Sequence, residues 1–170
     1  MATDPLTSAI LGLDRLVAES AAFQARVEAA DDTQAREKID LFEYDESPAV
    51  LGAHRPFAAI WPKQTTWRSV VGGVCNEFDT SGTLVLLLTD KNRHPGDKPA
   101  NRRASALDFS EWIGTVIQEI CEHAAEDDQL DFHVVSLGEE GGPHRTPKAD
   151  EPGGSAWWAQ FEVHWGLRGE

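Results

Sequence analysis

Hydrophobic positions along this chain change spacing several times, and each change marks an element. Ile10, Leu13, Leu16 and Val17 recur at helical spacing behind Asp4 and Pro5, which suit an N-cap and a first helical position. The pattern runs on through Phe23 and Val27, with Ser20 placed to cap a second, shorter helix, and the acidic run from Glu28 to Asp32 closes the region. Gly12 weakens the first helix by about 1 kcal/mol relative to alanine. "KIDLFEY" alternates weakly, with Ile39 and Leu41 opposite Phe42 and Tyr44, and predicts a short strand. Phe57 to Trp61 is an apolar run bracketed by Pro56 and Pro62, too short for a helix and suited to a strand. "TWRSVV" and "GTLVLLLTD" follow, separated by Gly72, Gly73 and the turn-like "DTSG", and read as hairpin partners. Leu84 to Leu88 shows no polar alternation, the mark of a strand covered on both faces.

The strongest helical pattern is "DFSEWIGTVIQEICEHAAEDD". Asp108 and Glu111 suit a capping box. Phe109, Trp112, Ile113, Val116, Ile117, Ile120, Cys121 and Ala124 then form one apolar stripe, opposite Glu111, Thr115, Gln118, Glu119, Glu122 and Glu126. "LDFHVVSL" predicts a strand, and "SAWWAQFEVHWG" the last one. Period two puts Trp157, Ala159, Phe161, Val163 and Trp165 on one face of it, and Trp158, Gln160, Glu162 and His164 on the other. Grouped strands predict an α+β fold: a single domain over residues 1–170, with a mainly antiparallel sheet of four to five strands. Helices cover one face of that sheet, and one long amphipathic helix precedes the last two strands. Two long, flexible loops are expected at 90–107 and 138–154.

Composition narrows the function classes. The chain has 170 residues, 41% hydrophobic and 26% charged, enough for a core without staples. No run of about 18 apolar residues predicts a membrane span, and the first residues lack the basic and apolar regions of a signal peptide. Cys75 and Cys121 lie among apolar neighbours and read as reduced, buried thiols. A formal charge of −14 argues against sequence-specific or general nucleic-acid binding. The charge is uneven, however. Lys91, Arg93, Lys98, Arg102 and Arg103 stand in a stretch with one acid, Asp97, so that stretch contributes +4 and the rest carries −18. Such a basic loop suits contact with an acidic partner surface, another copy included, although a solvated loop has the same composition.

Candidate chemistry is sparse. Glu162 and His164 on one strand face, with His133 on the preceding strand, could start a metal or ligand site, but zinc needs three or four ligands with their supporting shell. Alternation alone puts Glu162 and His164 together. No G-x-S-x-G elbow, phosphate loop or activated cysteine stands in the chain, so no enzyme, metal or cofactor is expected. Trp158, a large apolar residue on the polar face, suits an interface with Gln160, Glu162 and His164, or a peptide or sugar contact.

The order of these elements resembles the tail-terminator (tail-completion or minor tail) proteins of long-tailed bacteriophages and prophages. The resemblance covers roughly residues 6 to 166. It rests on the helical segment ending in "ESAAFQARV", on "RPFAAIWP", on the strand "GTLVLLLTD", and on the helix "DFSEWIGTVIQEI" before the closing "WWAQFEVHWG". It implies a non-enzymatic virion protein that forms a ring, usually of six subunits. That ring caps the tail tube and meets the head connector, its sheet facing neighbours, its loops reaching the tube and its acidic lumen passing DNA. Such a protein acts in the cytoplasm of the bacterial host during assembly and then in the virion tail. The long loops depart from the family pattern and leave open another head–tail joining, or neck, role.

Overall fold

A computed structural model describes residues 5–42, 54–64, 67–68, 77–78, 81–94, 96, 98–126, 130–136, 141–145 and 156–167. Three helices open it: α1 (Pro5–Glu19), α2 (Ala21–Val27) and α3 (Asp32–Arg36). Ser20 caps α2, its Oγ accepting from the Phe23 amide at 3.1 Å, as its position after α1 predicts. Asp4, the expected cap of α1, lies outside the described residues.

The strands are β1 (Ile39–Leu41), β2 (Phe57–Gln64), β3 (Trp67–Arg68), β4 (Glu77–Phe78), β5 (Ser81–Lys91), β6 (Leu130–Ser136), β7 (His144–Arg145) and β8 (Ala156–Leu167); α4 (Pro99–Ala124) joins β5 to β6. The fold is α+β. Its main sheet has six strands in the order β1-β2-β5-β8-β6, with β7 also on β8. That exceeds the four to five expected, because the two-residue β7 is too short to be seen in a periodicity. The sheet is mixed: β1 runs parallel to β2, while every other pairing in it is antiparallel.

Four expectations need correction. Trp67–Arg68 does not pair with β5 but with Glu77–Phe78, in a separate two-stranded sheet. The partner of β5 is β2, which continues through Pro62 to Gln64 because the register shifts there, a place where a proline's missing N–H is tolerated. The span 90–107 is not one long loop: β5 runs to Lys91 and α4 begins at Pro99, so only 92–98 fall between the two elements. Pro99 takes the first helical position, where its missing N–H costs nothing, so Asp108 lies inside the helix and caps nothing. Cys121 is exposed rather than buried, while Cys75 is outside the described residues. Of 138–154, residues 141–145 are described and carry β7; the rest of that expected loop, like Tyr44 and the turn residues Gly72 and Gly73, lies outside them.

The main core lies between the helices and one sheet face. Ile10, Leu13, Leu16 and Val17 of α1, Phe23 of α2 and Phe109, Trp112, Val116 and Ile120 of α4 pack on Ile60, Leu84, Leu86, Leu88, Ala159 and Val163. Gly12 lets α1 lie close on the sheet, for a Cβ there would stand 3.0 Å from Phe132 Cζ. Phe57, Ala59 and Leu87 form a second cluster on the other face, with Trp61 and Trp158 against it. Leu84 to Leu88 is thus apolar throughout because both faces of β5 are covered, as its composition predicts.

Candidate functional site

β8 places the candidate residues. Trp157, Ala159, Val163 and Trp165 are buried toward the helices, with Phe161 partly buried beside them. Trp158, Gln160, Glu162 and His164 therefore emerge on the opposite face, as period two requires. Register then sets their neighbours. His164 stands between Thr83 of β5 and His133 of β6; Glu162 is opposite Val85; Gln160 is opposite Leu87; Trp158 stands between Thr89 and His144.

This face has an apolar end and a polar end. Trp158 is half-buried, not freely exposed: it packs on the Phe57, Ala59 and Leu87 cluster, with the His144 ring centred 4.6 Å from its own. At the polar end, Lys63 donates to Glu162 Oε1. Glu162 Oε2 is 3.9 Å from His164 Nε2, and His164 Nδ1 is 3.0 Å from Thr83 Oγ1. His133 and His164 are direct register partners and both are exposed, a proximity that sequence spacing cannot reveal. Glu162 is nonetheless engaged by a cation already. Among the described residues, no three His, Cys, Asp or Glu side chains form a group able to hold a metal ion.

The five predicted basic contact residues lie where β5 gives way to α4, and only Arg93 and Lys98 fall in the short connection between them. Lys91 ends β5, Lys98 occupies the N-cap position of α4, and Arg102 and Arg103 lie in the first turns of that helix. Arg93 is turned inward: its Nε donates to Asp90 Oδ2 at 2.8 Å and its guanidinium to the Arg26 carbonyl at 3.2 Å.

Beneath them is an ion cluster that sequence reasoning missed. Arg26 Nε donates to Asp90 Oδ2 at 2.6 Å, and its terminal nitrogens reach both Asp108 oxygens at 3.2 and 2.5 Å. The Lys91 amide adds a 2.7 Å bond to Asp90 Oδ1. Arg26 also lies 5.2 Å from the Trp112 ring centre. Burial pulls the Arg26 pKa down, but Asp108 and Asp90 outweigh it and the net shift is upward. The Arg26 hydrogen bond holds the Asp108 carboxyl below the usual carboxylate range, against the opposing effect of burial. The available signal was Asp90 itself, an acid ending a strand apolar on both faces and therefore in need of a buried cation. The cluster locks α2, β5 and α4 together.

An open recess of about 340 Å³ lies between α4 and β6, lined in part by Cys121, Ala124, Phe132 and Val134. Burial pushes the Cys121 thiol up, a hydrogen bond from the Val134 backbone opposes this, and Glu122 adds to it. A nucleophilic cysteine needs the reverse shift. Among the described residues, no helix is long and apolar enough to cross a membrane. Comparison with protein-family models and with curated proteins finds no match.

Proposed function

We propose that this chain is a structural virion protein of the tail-terminator type. It assembles as a closed ring, and six copies are the size that the resemblance implies. The ring caps the tail tube and joins it to the head connector, first in the cytoplasm of the bacterial host and then in the virion tail. The reading is carried by the one-sided layering of the described residues. Helical side chains enter only the main core, and the other sheet face carries Trp158, Gln160, Glu162 and His164, with Trp158 packed against the buried Phe57, Ala59 and Leu87. A half-buried aromatic edge next to charged side chains suits the centre and rim of a protein–protein contact. A charge of −14 suits a lumen past which DNA slides.

Light scattering after size-exclusion chromatography tests this, with and without purified tail tube protein. A closed ring in either condition, weakened by Trp158→Ala, is the expected result. A strict monomer in both conditions refutes the reading.

One observation favours a second reading, in which the polar end binds a metal or small ligand: the pairing of His133 with His164 near Glu162. Stoichiometric metal in protein purified without an affinity tag, lost in His164→Ala, would support it. Substoichiometric metal with an unchanged His164→Ala melting curve ends it.

A further inference from the structure

We propose that the two ends of α4 are complementary docking surfaces between successive copies of this chain. The basic N-terminal end of one copy meets the acidic C-terminal end of the next. The inference rests on the ring reading and supplies the two different surfaces that a ring requires, since a head-to-tail contact closes only when each subunit offers two distinct patches.

Charge along α4 runs opposite to the arrangement its backbone favours. A helix dipole prefers anions near the N-terminus and cations near the C-terminus. Here Lys98 stands at the N-cap position with no side-chain cap bond, the first turn holds no acid, and Arg102 and Arg103 follow. At the far end Glu122 lies in the last turn and Glu126 just beyond it, both exposed. His123 is the one basic residue of that last turn. The helix has 26 residues and is therefore ~39 Å long, several screening lengths at physiological salt. Its charged ends cannot neutralise each other within one copy, whereas they can across two.

The placement favours a partner of the same kind. Lys91, Lys98, Arg102 and Arg103 are all exposed and gathered where β5 ends and α4 begins, on a chain that is otherwise −18. Beneath them the Arg26, Asp90, Arg93 and Asp108 cluster holds strand and helix in place, so the basic end is presented on a fixed frame. A preorganised surface loses less freedom on binding than a loop that must be ordered. Exposed Leu107 lies one turn further along, an apolar side chain next to the charged rim.

Charge exchange in the full chain tests the pairing. One variant carries Lys98→Glu, Arg102→Glu and Arg103→Glu, which leave only Lys91 positive among the four; another carries Glu122→Lys and Glu126→Lys. Each has two ends of one sign, and sedimentation velocity is expected to show self-association weakened about tenfold or more. An equimolar mixture supplies both signs and associates as alternating copies, and a chain with all five substitutions again associates with itself. Melting temperatures should hold or rise, because the reversals at Lys98 and Glu122 suit the helix dipole; this separates lost contact from lost folding. Single-end variants that assemble like the wild type, and gain nothing on mixing, overturn the docking proposal and leave the ring reading standing. A wild-type chain that is monomeric alone and with tail tubes defeats the ring reading. If the two variants then also ignore each other, the complementarity of the ends is overturned too.

Discussion

Replacing Arg26 with methionine removes the cation that serves two acids at once. Asp90 is fully buried, with 0% of its side chain exposed, while Arg26 is 13% exposed. Breaking a buried pair from one side costs about 3–5 kcal/mol when the remaining charge has no other partner. Asp90 keeps Arg93 and the Lys91 amide, so the cost falls near the low end, about 3 kcal/mol, with the Trp112 contact adding ~0.5–1 kcal/mol. For a chain of this size that is a melting-temperature drop of roughly 7–16 °C. Urea unfolding followed by circular dichroism measures it. Arg93→Met, whose cation is more exposed, should cost about 1 kcal/mol. A pH series adds a sign. Asp108 has a folded pKa below its unfolded one, so its contribution is complete above the usual carboxylate range and is lost as pH falls through the depressed value. Wild type should therefore lose stability faster than Arg26→Met below about pH 4, and the gap between them should narrow. An Arg26→Met chain within about 0.5 kcal/mol of wild type, or one less affected than Arg93→Met, would refute the reasoning.

Three further outcomes follow from particular contacts. Ser105→Ala takes away the acceptor of a buried 2.7 Å bond from Trp157 Nε1 and should cost about 1–3 kcal/mol by urea unfolding, whereas Ser110→Ala, at a half-buried position of the same helix, should be nearly silent. Gly142→Ala places a Cβ 2.8 Å from the His144 amide nitrogen and 2.9 Å from the Trp158 carbonyl oxygen at a φ of +89°; amide exchange should show β7 loosened from β8 while β5 keeps its protection. Cys121 is exposed but its thiol is raised above the ordinary value, so alkylation of the native chain should proceed yet keep accelerating above about pH 9.

What could be read beforehand was whatever a local period encodes. The two faces of β8, the doubly covered β5 and the buried stripe of α4 all follow from spacing, because side-chain direction repeats within the element itself. Partner choice does not. Nothing within "TWRSVV" says that Trp67–Arg68 joins Glu77–Phe78 while β5 pairs with β2. The start of α4 was hidden for a different reason. From Pro99 to Ala104 that helix projects beyond the core and buries no residue, so no apolar stripe marks its first turns. Pro99 and the alanines were the remaining helical cues, and the basic residues among them suggested solvent instead. The polar face of β8 was legible as a set of residues, but the apolar cluster under Trp158 was not, since Phe57, Ala59 and Leu87 reach it from two other strands.

β8 has a consequence for how the chain comes together during synthesis. β5 and β6 do not pair with each other; β8, the last described strand, lies between them and is the described strand on which β6 pairs. Until residues 156–167 leave the ribosome, one edge of β5 has no strand to pair with, and β6 has none either. That unpaired edge belongs to the most apolar segment of the chain, Leu84 to Leu88, the kind of exposed strand on which nascent chains stick to one another. Ribosome-bound chains ending before Ala156 should accordingly be the ones that recruit holdase chaperones, and release should coincide with the arrival of β8.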